Sequence, residues 1–227
     1  MAITNRYDFI MLFDVENGNP NGDPDAGNTP RMDAETGYGY ITDVCLKRKI
    51  RNFVELEKEG ESGYNILVKP DKALNTRFTE AYDEEQLEKG KKGKKADDVK
   101  KARDYMCRNY FDVRAFGAVM STGDNPCGIV RGPVQITFAR SLSQINIEDV
   151  TITRQARTTE DRQETGGTEM GRKSIIPYAL YRAEGYISAA LAQKVTGLSD
   201  DDVELLWDAI VNMFENDHSA ARGKMCM

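Results

Sequence analysis

The sequence predicts an α+β fold, and three observations carry that expectation. Arg6 to Val15 (RYDFIMLFDV) is an aromatic and aliphatic run of strand length. Thr42 to Glu59 and Ser199 to Phe214 each set apolar residues at helical spacing behind a capping residue. Phe111 to Met120 (FDVRAFGAVM) and Val130 to Arg140 (VRGPVQITFAR) return to strand composition between them. No linker and no internal repeat interrupts this order, so one α+β core with long insertions is the economical reading.

Taken in order, the first strand ends where Glu16 to Thr36 (ENGNPNGDPDAGNTPRMDAET) gathers three of the seven prolines, three glycines and four asparagines. That composition propagates neither helix nor ladder, and it predicts one long irregular loop. Thr42 and Asp43 then cap a helix that turns Val44, Leu46, Ile50, Phe53 and Val54 inward and carries Lys47, Arg48, Lys49 and Arg51. Tyr64 to Lys69 (YNILVK) reads as a short strand. Asp71 to Arg108 is dense in charge and poor in apolar residues, with a low-complexity stretch at Glu88 to Lys95 that suits a solvated excursion or a nucleic-acid tether. After the two middle strands, Thr151 to Lys173 is polar, rich in Thr and Arg, and reads as an extended hairpin or arm. Ser174 to Ala189 resumes the strand pattern, and Ser199 opens an acidic amphipathic helix.

Composition narrows the chemistry. At 227 residues, 40% hydrophobic and 30% charged, the chain buries a core and leaves much of itself solvated. No apolar run approaches the roughly 18 residues of a membrane span, and MAITNRYDFIMLF lacks the order of a signal peptide, so a cytoplasmic protein is expected, with no membrane partner. Cys45, Cys107, Cys127 and Cys226 are scattered without a CxxC pair, which indicates neither zinc nor disulfides but small buried side chains. A single histidine, His218, leaves little for histidine-based nucleophilic or metal chemistry, and no cofactor is expected. The net charge of −6 includes seven acids between Ser199 and Asp217, so the rest of the chain stands at +1 and binding to nucleic acid is not excluded.

Each motif that suggests chemistry has a plainer rival. Asn21, Asp23 and Asp25 alternate as in a calcium loop, but the sixth and twelfth positions are Ala26 and Met32 where Gly and Glu belong. Asp23 and Asp25 as magnesium ligands lack a third partner in the sequence. Arg114 to Met120 resembles the RNP1 motif of RNA-binding sheets, with Arg114 and Phe116 on the strand, yet Ala115 and Ser121 replace the expected Gly and aromatic. Lys47, Arg48 and Arg51 form a helix stripe that a phosphate backbone follows, and a solvated face explains the same residues. In the arm, Arg154, Arg157, Arg162, Arg172 and Lys173 alternate with acids, and Met170 is a candidate wedge between bases or a local packing contact.

The run DVENGNPNGDPDAGNTPR (Asp14 to Arg31), the helix ITDVCLKRKIRNF, the strand DVRAFGAVM and the later VRGPVQITFARS together resemble the CRISPR-associated Cas seven family, in its type I-C branch. The resemblance implies a hand-shaped protein: a modified RNA-recognition (ferredoxin-like) palm, fingers at about 71–108 and a thumb at about 151–173. It implies copies stacked head to tail along CRISPR RNA, beside other Cascade subunits, presenting the guide to target DNA for a recruited helicase-nuclease. Carried onto this chain, it places Arg31, Lys47, Arg48, Arg51, Arg114, Phe116, Arg154, Arg157, Met170, Arg172 and Lys173 on the RNA, with no catalytic or metal residue. Type III relatives cut RNA with an Asp in the loop after the first strand, so a metal-dependent nuclease using Asp23 or Asp25 is the competing class. A scaffold that binds no nucleic acid is the third. One departure stands out: a ferredoxin-like core needs a strand after its second helix, and only HSAARGKMCM follows it here.

Overall fold

The computed structural model describes residues 1–90, 95–154 and 169–227. Strand β1 (Tyr7–Gly18) leads into a loop holding the two-residue strands β2 (Gly22–Asp23) and β3 (Thr29–Pro30), followed by β4 (Tyr38–Ile41) and helix α1 (Asp43–Glu57). Helices α2 (Leu74–Glu84), α3 (Ala96–Asn109) and α4 (Phe111–Phe116) precede the short strands β5 (Gly117–Met120), β6 (Gly128–Arg131), β7 (Val134–Ile136) and β8 (Ala139–Gln144). Strands β9 (Glu148–Arg154) and β10 (Glu169–Ile187), the turn α5 (Ala189–Leu191), helix α6 (Asp200–Asn212) and strand β11 (Lys224–Cys226) complete the α+β order. The main sheet runs β11-β1-β10-β8-β4.

The chain divides into two compact units, one of Met1–Ile10, Lys47–Thr137 and Glu184–Met213, the other of Met11–Leu46, Phe138–Ala183 and Phe214–Met227. In the first, α2 and α3 bury Phe78, Ala81, Tyr82, Ala102, Met106 and Cys107 against Met120, Cys127 and Val130. The charge-dense segment 71–108 thus holds two packed helices, Leu74–Glu84 and Ala96–Asn109, while the excursion expected at 88–95 lies between them, with 91–94 outside the described residues. Few apolar residues suffice because they repeat at helical spacing on one stripe. The expected strand at Tyr64–Lys69 is not one: Asp112 accepts hydrogen bonds from the amides of Leu67 (2.8 Å) and Val68 (3.1 Å), which replaces a ladder. The 111–120 strand also divides, with Phe111–Phe116 helical and Gly117–Met120 extended.

Gly117 makes that switch. Its φ of 79° is left-handed, and an added Cβ would lie 2.4 Å from both the amide nitrogen of Gly132 and the carbonyl oxygen of Val130. Gly117→Ala is expected to cost at least the ~1–3 kcal/mol of an overpacked site. Urea unfolding measures it, and an unchanged midpoint would refute the assignment.

In the second unit, β8 pairs antiparallel with β4 and with β10, and β9 pairs with β10 from Glu148↔Ile175 to Arg154↔Glu169. The flanks of the polar arm thus form a ladder, and its outer part, residues 155–168, lies outside the described residues. Phe13 stacks on Tyr181 (5.8 Å between centroids) and packs on Phe214 (5.2 Å). A short strand not expected after the acidic helix is present: β11 pairs antiparallel with β1 through Asp14↔Cys226 and Glu16↔Lys224. Three residues are too few for a periodic signal.

Burial divides the cysteines. Cys107 and Cys127 are buried and their thiols are pushed up to about 11 and about 12, whereas Cys226 is exposed and Cys45 half-buried, contrary to the uniform burial expected. A raised thiol stays protonated and unreactive at pH 8. A thiol dye at that pH is expected to label Cys226 first and to reach Cys107 and Cys127 only in denaturant. Rapid labelling of all four in the folded protein would contradict this packing.

Candidate nucleic-acid interface

The candidates Lys47, Arg48 and Arg51 on α1, and Arg114 and Phe116 on α4, belong to the first unit. Leu46, Ile50 and Val54 form the buried stripe of α1, spaced four residues apart, and Val44, expected inside, is 64% exposed. Lys49 (2% exposed) and Arg51 (9%) are drawn inward with the apolar residues. Arg51 Nε donates to Asp112 Oδ2 at 2.8 Å, and its guanidinium lies 5.2 Å from the Phe116 ring centroid. Lys47 Nζ stands 5.7 Å from the same ring. Arg48 Nη2 donates to the Val68 carbonyl, and burial, then repulsion from Arg51, lowers its pKa.

Arg114 belongs to α4 and not to a strand. Its Nε and Nη2 hold Asp202 at 2.8 and 2.7 Å, and Nη1 donates to the carbonyls of Gly63, Cys107 and Arg108 at 3.0, 2.9 and 3.1 Å. Asp202, 2% exposed, also accepts from the Ser199 amide and hydroxyl, closing the capping box of α6. Phe116 is 8% exposed. A helix explains why this segment is not an RNP1 strand: positions two apart point to nearly opposite sides, so Asp112 serves Arg51 while Arg114 serves Asp202. Arg51, Arg114 and Phe116, expected on the RNA, are buried, and the two arginines are paired with Asp112 and Asp202. Lys47 and Arg48 keep partly exposed positions.

In the second unit, the loop after β1 is ordered by its own side chains. Asn21 Oδ1 accepts from the amide and hydroxyl of Thr42, both at 3.0 Å, and the Thr42 hydroxyl accepts from the Cys45 amide at 3.4 Å as the α1 cap. Asp23 Oδ1 accepts from the Asp25 amide at 3.2 Å, and its Oδ2 lies 3.3 Å from Arg31 Nη1. Arg31, expected on the RNA, is thus paired and about a fifth exposed. Among the described residues, no group of three or more His, Cys, Asp or Glu is placed to hold a metal.

On β10, Met170 is 75% exposed and Arg172 lies two residues along the strand, hence on the same side. Lys173 is half-buried and donates to the Ala220 carbonyl at 2.8 Å. Arg154 ends β9, and Arg157 and Arg162 lie outside the described residues. Arg172 and Lys173 meet Asn19, Gly27, Asn28 and Ser174 around a cavity of about 300 Å³. Asn19 carries no signal of its own in the sequence, since Asn between Gly18 and Pro20 reads as a turn former.

The fold recurs in a solved chain described as "CRISPR RNA-guided surveillance complex, pre-nicking", with a TM-score of 0.57 and 16% identity over 92% of this chain and 69% of that one. The family model described as CRISPR-associated protein Cas7 matches residues 5–227, and the chain belongs to that family. A relative from Haloferax volcanii, also described as CRISPR-associated protein Cas7, is 28% identical over 233 residues, covering 93% of this chain. The chain spans 66% of that relative's length.

Proposed function

We propose that this chain is the CRISPR RNA-binding backbone subunit of a type I-C Cascade surveillance complex. The observation that carries the reading is the family match over residues 5–227. Copies follow the guide RNA head to tail, hold it through sugar and phosphate, and leave its bases to pair with target DNA. Other Cascade subunits flank the row, and a recruited helicase-nuclease cuts. The sheet order with β11 beside β1 supports a ferredoxin-like, RNA-recognition palm, the segment 71–108 is its finger, and the β9–β10 ladder bears the thumb. Lys47, Arg48, Arg172 and Lys173 hold phosphates, with Arg31, Arg154 and Arg157 alongside, and Met170 reaches for a base step.

The chain binds and does not cleave. The oxygens of Asp23 serve the Asp25 amide and Arg31, which supports a role in ordering the loop. Phosphate contacts position a strand without reading it. Lys47→Ala with Arg48→Ala is therefore expected to weaken two labelled RNAs of unrelated sequence by the same factor, read by fluorescence anisotropy. A loss confined to one sequence would point to base readout, and no binding of either RNA by the parent would end the proposal.

A further inference from the structure

We infer that Tyr40 and Phe138 form a stacking platform for a base of single-stranded RNA, with Arg140 on the adjoining phosphate; this rests on the RNA-binding reading above. All three residues belong to the second unit. Antiparallel pairing sets Tyr40 opposite Arg140 and Arg140 opposite Arg182, so one row crosses β4, β8 and β10 on a single side of the sheet. The adjacent Ala139, Ser141 and Tyr181 are buried, which puts the row on the open side. Phe138, two residues before Arg140, is 48% exposed, and its ring lies parallel to that of Tyr40, 6.2 Å between centroids and 6° between planes. A third ring between them would need about 7 Å, twice the contact distance of carbon atoms. The next aromatic plane therefore adds to the outside of the pair. A cleft of about 420 Å³ opens there, lined by Met32, Asp33, Ala34, Tyr40, Phe138 and Arg140.

The charges of the cleft select its occupant. Arg140 is exposed and stands directly opposite Arg182, a like-charge pairing that costs a sheet stability and that an anion on Arg140 offsets. Within the cleft the sign reverses. Asp33 is held as a carboxylate, its pKa lowered chiefly by the amides of Glu35 and then Thr36, which donate to Oδ1 at 3.0 and 3.3 Å. A carboxylate repels phosphate and accepts from the N–H donors on base edges. The ligand is therefore flat, with N–H groups on its rim and an anion a few bonds away. A nucleotide within a strand has that chemistry, and bases of single strands stack on aromatic rings whatever their sequence. An acidic protein segment would satisfy the arginines but set its own carboxylates against Asp33.

The test compares one short RNA with its abasic counterpart of the same length, which removes the bases and keeps the phosphates without touching the protein. The parent is expected to prefer the base-bearing strand by at least about fivefold, the low end for one base stacked on an aromatic ring. Phe138→Leu should lose that factor on the base-bearing strand and keep its affinity for the abasic one, whereas Phe138→Tyr, which retains the ring, should match the parent. Arg140→Ala should weaken both strands alike and reduce the salt slope by ~0.7. Equal binding of the two strands by the parent overturns the inference, as does a Phe138→Leu variant that keeps the parent's preference or a Phe138→Tyr variant as weak as Phe138→Leu. An unchanged slope in Arg140→Ala overturns the phosphate contact. A loss in Phe138→Leu confined to strands long enough for two copies would assign this surface to a second copy of the chain and overturn the platform. Displacement of the RNA by AMP at the strand's own dissociation constant would assign the cleft to a mononucleotide and overturn the strand assignment. If the parent binds neither strand, the RNA-binding function itself falls.

Discussion

Arg114→Ala is expected to lower the unfolding free energy by about 3–5 kcal/mol, the cost of stranding one member of a buried ion pair. Asp202 would remain 2% exposed with no cation, and the carbonyls of Gly63, Cys107 and Arg108 would lose their donor together. Natural domains hold only about 5–15 kcal/mol in total, so this single change consumes a large share. Trp207, the only tryptophan, lies on α6 with Asp202 and packs edge-on against Phe9 at 4.8 Å, so its fluorescence follows the loss in urea. Asp202→Asn keeps an acceptor for the cap of α6 and is expected to cost less than Arg114→Ala. A cost under about 1 kcal/mol, the worth of an exposed pair, would mean that Arg114 is solvated after all and available to RNA.

The legible parts of this fold are those whose cause is local. β1 declares itself by a long apolar run, and α6 by Ser199 with acids in its first turn, where the structure has the capping box. The illegible parts are settled by distant partners. DVRAF has strand composition, yet its Asp and Arg each find a mate, Arg51 and Asp202, that lies 61 and 88 residues away. These pairings favour a helical turn that local propensity does not. The same pairings are hidden from a site reading, because a stripe of cations reads as a surface until its carboxylates are known. β10 was legible as extended, but the orphaned oxygen of Asn19 follows from its bond to Asn28, and no periodicity encodes that.

The second large effect expected is on salt dependence. A cation that meets a phosphate releases a counterion, and for single strands each contact adds ~0.7 to the slope of log affinity against log salt. Replacing Arg172 and Lys173 by Ala is expected to reduce that slope by ~1.4, and replacing Lys47 and Arg48 by ~1.4 again. Across a fourfold rise in salt, those four contacts together account for about a 50-fold weakening in the parent that the fourfold variant should not suffer. Arg51→Ala is the contrasting case: with its side chain on Asp112, it should lower stability and leave the slope of the folded protein unchanged. Anisotropy titrations at four salt concentrations measure all of these slopes. A parent slope near zero would remove the phosphate contacts altogether, and a slope that falls by ~0.7 in Arg51→Ala would return that arginine to the RNA.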